Sequence, residues 1–340
     1  MTQESVLIVG AGAMGLINGY YLQQGGAKIT FLVRPGKKAQ SAPPAILYNY
    51  GSGELERFES YRVEDNLAAL AGETFDYAIV TFDHAIAMSE DGTALLKALG
   101  KAFADKNTVI IMGGVGLGLR EHFIQTTGLP ESRILNGVLG LLSHQSSADL
   151  PLHAPTDAAK LKQSRMAYKH LNENSFMLDN MFPEVAQKFA DLYTRSGKSG
   201  CAIIDKVQFA VMNNTAFPVL AAQEIAGWAN IAELTAQKDL WALSCRAARE
   251  AAGLPELGMG DAIAEQAMSD ETLAATYLGV EAASLPLDFA AFNRFHHGGK
   301  VAEQDLEIMK KCAAAGERGG RPMSALKEII ARLEALRAAA

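Results

Sequence analysis

The hexapeptide Gly10-Ala11-Gly12-Ala13-Met14-Gly15 decides the fold. It follows a short apolar run, Ser5 to Val9, and opens a stretch that reads as helix from about Met14 to Gln24, closed by Gly25-Gly26. Buried strand, glycine-rich turn and helix, in that order, are what a dinucleotide-binding βαβ unit requires. Gly10 permits the tight turn, Gly12 lets the backbone approach a pyrophosphate, and Gly15 lets the helix pack closely on the strand. Phosphates then bind the free N–H groups at the helix N-terminus. The competing reading is a strand-to-helix turn without a ligand, and the flanking elements favour the cradle.

Working outward, Lys28 to Val33 reads as a second strand. A hairpin is expected around Gly51-Ser52-Gly53 within residues 43–63. Thr74 to Phe82, Thr108 to Met112 and Arg133 to Val138 read as further buried strands, with a helix over about Ser89 to Ala104. Strands alternating with helices predict a mostly parallel, doubly wound sheet covered on both faces. From Met181 onward the pattern is helical, with one long helical stretch from Cys201 to about Leu234 interrupted at Pro218. Further helices are expected over Thr272 to Val280, Ala302 to Ala315 and Met323 to Ala339. The expected organisation is an α/β nucleotide-binding domain over residues 1–180, then an all-α substrate or dimerisation domain over residues 181–340.

The end of the second strand sharpens the ligand. An NAD site ordinarily places Asp or Glu there, about 20 residues after the glycines, to bind the ribose 2′-hydroxyl. This chain has no carboxylate between Glu4 and Glu54, and Arg34 stands where the acid belongs, followed by Pro35-Gly36-Lys37-Lys38. A guanidinium pairs bidentately with a 2′-phosphate, so Arg34, with Lys38 beside it, predicts NADP(H). An exposed basic turn without a ligand is the alternative.

At 340 residues the chain exceeds the usual single-domain size, which agrees with two domains. A net charge of −7 argues against nucleic acid or an anionic membrane as principal partner. The apolar run at residues 6–9 is far too short to span a bilayer and lacks the flanks of a signal peptide. Cys201, Cys245 and Cys312 have no metal-ligand spacing and read as reduced structural thiols. The expectation is a cytoplasmic protein with no metal.

The order of these motifs resembles the ketopantoate reductase family over nearly the whole chain. Besides the glycine loop and Val33-Arg34, Ile110-Ile111-Met112-Gly113-Gly114-Val115-Gly116 falls where that family has an Asn-Gly-Val/Met-Gly loop. Lys206, Asn214 and Thr215-Ala216 resemble its Lys-x3-Asn-x3-Asn-Pro-Leu-Thr helix. Gly299-Lys300-Val301-Ala302-Glu303-Gln304-Asp305 resembles its Gly-Arg-x-Thr-Glu-Ile-Asp segment, and Gly319-Gly320-Arg321-Pro322 its Gly-Val-x-x-Pro turn. The resemblance implies a Rossmann domain and a helical domain that together reduce the ketone of a 2-oxo acid with NADPH, as in pantothenate biosynthesis. Lys206 would be the general acid and Glu303 the carboxylate orienting it or the substrate. Asn214 lies roughly 80° around a helix from Lys206, with Asn213 nearly in line with it. Both are substrate candidates, and Arg294 would hold a substrate carboxylate. Thr81, Gly113 and Gly114 join the glycine loop as cofactor contacts.

The chain departs from the family around the substrate. Asp83 stands where a Lys follows the third parallel strand, Gly113 where the loop has Asn, and Ala210 where an Asn follows the catalytic Lys by one turn. Ala291 and Phe295 occupy the family's Ser and Asp positions. Losing several polar partners penalises a small hydroxy-oxo acid, so a larger or more apolar carbonyl or imine substrate is expected. An imine or opine-type reductase and a non-catalytic NADP(H) sensor are the alternatives. A homodimer through the helical half is compatible with the sequence.

Overall fold

In the computed structural model, which describes residues 3–339, twelve strands are present: β1 Ser5–Val9, β2 Lys28–Leu32, β3 Ala45–Asn49, β4 Glu54–Phe58, β5 Tyr61–Glu64, β6 Tyr77–Val80, β7 Val109–Met112, β8 Ile134–Leu139, β9 Leu141–Gln145, β10 Met166–His170, β11 Asn174–Asp179 and β12 Gly200–Ile204. Eight of them form one sheet in the order β12-β11-β8-β7-β6-β1-β2-β5. From β5 to β8 every neighbouring pair is parallel, β11 joins antiparallel to β8, and β12 joins parallel to β11. The chain runs outward from β1 through β2 and β5, then returns to β6 on the other side. The reversal of strand order between β1 and β6 is the topological switch point, where open α/β sheets hold ligands.

The alternation within each strand explains why the sheet is buried twice. Val6 and Ile8 join Ile29, Phe31, Ile79 and Ile111 in one core, while Leu7 and Val9 join Leu32, Val80, Ile110 and Met112 in another. Side chains of successive strand residues point to opposite faces, so uninterrupted apolar runs demand cover on both. The expected hairpin is present as β3 and β4, with Gly53 at φ +68. It belongs to a separate four-stranded sheet, β4-β3-β10-β9, which the sequence did not announce.

The chain divides into two compact units, one running to Ala148 and resuming over Ala154–Asp205, the other formed by Asp149–His153 and the chain from Lys206. The α/β unit therefore extends beyond residue 180. It includes the Pro183–Thr194 helix and β12, so the reading of Cys201 onward as one long helix is corrected. A short apolar run such as Cys201-Ala202-Ile203-Ile204 is ambiguous by periodicity, and parallel pairing with β11 makes it strand. Asp149–His153 joins the helical unit through a bridge between Leu152 and Leu287.

The helical unit packs around the Lys238–Ala252 helix, which buries Trp241, Leu243, Cys245, Ala247, Ala248, Ala251 and Ala252. Its small residues let the Phe217–Ile225 and Ser324–Ala339 helices approach closely. A paired fork from Arg337 to Glu224, at 2.8 and 2.7 Å, fixes the latter two helices to each other. Among the described residues no helix is long and apolar enough to cross a membrane.

Candidate functional site

The glycine cradle is built by close backbone approach. Gly10 sits at φ +109, and a Cβ there would overlap Thr81 Oγ1, whose hydroxyl donates to Val9 O at 2.8 Å. A Cβ on Gly15 would overlap the carbonyl oxygen of Gly10. Gly12 is different. It is the N-cap of the Ala13–Gln24 helix, no side chain caps that end, no acid stands in the first turn, and a Cβ on Gly12 would meet nothing within 4 Å. Two glycines are thus required by packing, and the middle one faces open space in front of an uncapped helix N-terminus. That combination suits a diphosphate.

Met14 ties the cradle to the β7 loop. Its Sδ lies 2.8 Å from where a Gly113 Cβ would be, and Gly113 N–H donates to Val80 O at 2.8 Å. A Cβ on Gly114 would press on Phe82 O. The space that a side chain at 113 would need is already filled by Met14. Gly116, at φ +136, lies over the buried ring of His84. Asp83 caps the His84–Met88 helix by accepting from Ile86 N–H at 2.8 Å, a structural use of the acid.

Beside the cradle, a cavity of about 730 Å³ is lined by Val9, Gly10, Arg34, Asp65, Asn66 and Ile86, among others. Arg34-Pro35-Gly36-Lys37 forms a turn closed by Lys37 N–H to Arg34 O at 3.0 Å, with Gly36 at φ +77. Proline followed by a left-handed glycine is the signature of a type II turn. Arg34 is exposed and forms no ion pair among the described residues. Lys38 instead pairs with Glu64 at 2.6 Å, which diverts its ammonium from the cavity ligand expected of it. The local absence of acids that marked this turn in the sequence is altered by the fold: β5 lies against β2, and Asp65 accepts a hydrogen bond from Gly36 N–H at 3.0 Å. A second residue missed in the sequence is Arg165, whose Nη2 reaches Ala11 O at 3.5 Å from more than 150 positions away.

In the helical unit Lys206 is exposed and begins the Lys206–Thr215 helix, one residue after the α/β unit ends. Asn214 is buried, and its Nδ2 donates to Ala210 O at 2.8 Å, while Asn213 Nδ2 donates to Phe209 O at 2.8 Å. Eight residues of helix separate Lys206 from Asn214 by about 12 Å along the axis, so they stand at opposite ends of it. Asn214 Oδ1 is a buried acceptor without a partner among the described residues.

Arg294 is exposed in the last turn of the Phe289–Phe295 helix, and Glu303 is exposed in the first turn of the Ala302–Arg318 helix. The buried carboxylate of this region is Asp305, which accepts from His297 Nδ1 at 2.6 Å. Burial pushes its carboxyl above the usual range, against the opposing effect of His297. His296 stacks on Phe292 at 5.6 Å, and burial, with repulsion from His297 and Lys300, pushes its pKa down to about 3. The two histidine rings also meet edge to face, with centroids 4.8 Å apart. Among the described residues no three His, Cys, Asp or Glu side chains are grouped to hold a metal ion.

The strand order and the cradle at its switch point define the class: an α/β domain with the doubly wound topology of dinucleotide-binding folds, continued by a helical unit. Residues 6–159 match the sequence pattern of the ketopantoate reductase PanE/ApbA family. No curated protein matches the chain in sequence. Among solved structures, 2-dehydropantoate 2-reductase from Geobacter metallireducens GS-15 superposes with a TM-score of 0.68 at 16% identity, covering 98% of this chain and 99% of that one. The dimeric ketopantoate reductase from Staphylococcus aureus gives 0.61 at 15% identity, covering 97% and 98%. A D-mandelate dehydrogenase in ternary complex with NADH and anilino(oxo)acetate gives 0.66 at 13% identity, covering 97% of each chain. At such identities the likeness is one of fold.

Proposed function

We propose that this chain is a reductase that uses NADPH to deliver hydride to the carbonyl of a 2-oxo acid or related ketone. The observation that carries the reading is the cradle: open space at Gly12, an uncapped helix end without acids, and Arg34 on the adjoining cavity. A bound nicotinamide nucleotide would supply the hydride. The N–H groups after Gly12 would hold its diphosphate, and the Arg34 guanidinium would grip a 2′-phosphate in fork geometry. Gly113 and Gly114 would offer backbone to the nucleotide, and Thr81, whose hydroxyl lies beside Gly10, would be a further contact.

In this proposal Lys206 Nζ gives a proton to the carbonyl oxygen as negative charge develops on it. Glu303 orients that ammonium or the substrate, Arg294 pairs with the substrate carboxylate, and Asn213 and Asn214 hold its remaining polar groups. The filled space at Gly113 and the apolar Ala210, Ala291 and Phe295 favour a substrate bulkier or less polar than ketopantoate. The homodimer belongs to the same proposal, supported by the dimeric Staphylococcus aureus relative in fold.

The test follows NADPH absorbance over a panel of 2-oxo acids with increasingly large apolar side chains. The expected result is turnover of at least one panel member, abolished by Lys206→Ala with nucleotide affinity retained. Nucleotide binding without turnover of any panel acid overturns the reductase reading. Efficient turnover of ketopantoate overturns the altered substrate preference.

A further inference from the structure

The cavity beside the cradle carries two carboxylates as well as Arg34, and this bears on which nucleotide it admits. Register places Leu32 of β2 opposite Glu64 of β5, the last residue of each strand, so the segments carrying Arg34 and Asp65 leave the sheet from adjacent strand ends. Both Arg34 and Asp65 line the cavity, together with exposed Asp91 at the start of the Glu90–Phe103 helix. No ion pair joins Arg34 to Asp65. Asp65 Oδ2 accepts from Gly36 N–H at 3.0 Å, fixing the turn that carries Arg34. A carboxylate has about four lone-pair sites, so this one bond leaves acceptor capacity for a ligand hydroxyl.

We propose that Asp65 is a specificity-determining residue of the nucleotide site, supplying from β5 the ribose 2′-hydroxyl acceptor that β2 lacks. The chain then takes NADH as well as NADPH. The inference rests on the dinucleotide reading above. When the ligand has a free 2′-hydroxyl, Asp65 accepts its proton in a charge-assisted hydrogen bond. When it has a 2′-phosphate, Arg34 attracts it and Asp65 repels it, so the two side chains oppose each other in one subsite. Asp91 adds negative charge at the rim, and NADPH loses part of the advantage that Arg34 alone would give.

The measurement is equilibrium binding of NADPH and NADH to the full chain by nucleotide fluorescence, with 2′,5′-ADP and 5′-AMP as competing probes that isolate the subsite. The wild type is expected to bind the two dinucleotides within about tenfold of each other. Asp65→Asn keeps an acceptor for Gly36 N–H while removing the charge, and should move the affinity ratio about tenfold toward NADPH. Asp65→Ser should move it the same way and serves if the Asn variant does not fold. Asp65→Glu, which keeps the charge, should stay closer to wild type. Arg34→Gln should move the ratio in the opposite direction. An unchanged ratio in folded Asp65→Asn or Asp65→Ser overturns the assignment while leaving the dinucleotide site standing. Wild-type preference for NADPH by more than about a hundredfold also overturns it. Failure of both nucleotides to bind removes the dinucleotide reading and this inference with it.

Discussion

Replacing Gly12 and Gly15 separately by alanine should give opposite phenotypes, although both belong to the same motif. Gly12 has φ −80 and ψ −168, extended backbone that alanine adopts freely, and its Cβ would meet nothing within 4 Å. The loss of a favourable N-cap residue is offset by the smaller entropy of the unfolded chain, so stability should stay within about 1 kcal/mol of wild type. Gly15 lies inside the helix, where alanine gains about 1 kcal/mol of propensity. Its Cβ, however, would overlap the Gly10 carbonyl, and backbone against backbone relaxes only by displacing strand from helix. Overpacking of this kind costs about 1–3 kcal/mol, leaving a net loss of up to about 2 kcal/mol. In a unit of this size that lowers Tm by up to about 8 °C.

Thermal melting with and without NADPH separates the two effects. At one hundred times Kd a ligand stabilises the native state by about 2.7 kcal/mol, which raises the wild-type Tm by about 5–10 °C. Gly12→Ala should melt like wild type without nucleotide and show almost none of that rise, because its methyl group occupies the diphosphate position. Gly15→Ala should start lower and keep a partial rise. If Gly12→Ala keeps the full ligand-induced shift, the phosphates do not sit where the cradle implies. If Gly15→Ala melts as wild type does, the packing argument is wrong.

Other outcomes test separate parts of the structure. Arg165→Ala should weaken NADPH and NADH by a similar factor of about ten, because a group beside Ala11 senses what the two ligands share; a selective loss in calorimetric titration would refute this. Asp83→Ala should lose about 1 kcal/mol of stability through the missing N-cap, with nucleotide affinity unchanged in the same titration. Cys201, Cys245 and Cys312 are buried with thiols pushed up to about 12 by burial, so a thiol reagent should label none of them rapidly before denaturant is added. His296 is held neutral in the fold, with a pKa near 3 against 6.5 when unfolded, so its unfolded form binds more protons below about pH 6.5. Stability from this group is complete above that pH and declines as pH falls toward 3, by at most about 1.4 kcal/mol per unit; His296→Phe should flatten that decline in pH-dependent denaturant melts.

What the sequence made legible was whatever is local. The glycine cradle, the Asp-free second strand and the hairpin at Gly51-Ser52-Gly53 are each written within a dozen residues, and the structure contains each of them. What stayed hidden depends on pairing across the chain. β12 is four apolar residues that a helix would accept equally well, and only its register with β11 makes it a strand and carries the α/β unit to Asp205. Lys38 looked like a phosphate ligand because its nearest carboxylates in sequence are far away, yet β5 brings Glu64 onto it. The same pairing brings Asp65 to Gly36. On the proposed reading, cofactor preference would be a property of two adjacent strand ends. The composition of β2 states only half of it, since the chain leaving β5 brings an acid, Asp65, onto the turn that follows β2. A reading based on β2 alone expects a single nucleotide, whereas Arg34 and Asp65 on one cavity would put attraction and repulsion for a 2′-phosphate into one subsite if the proposal holds.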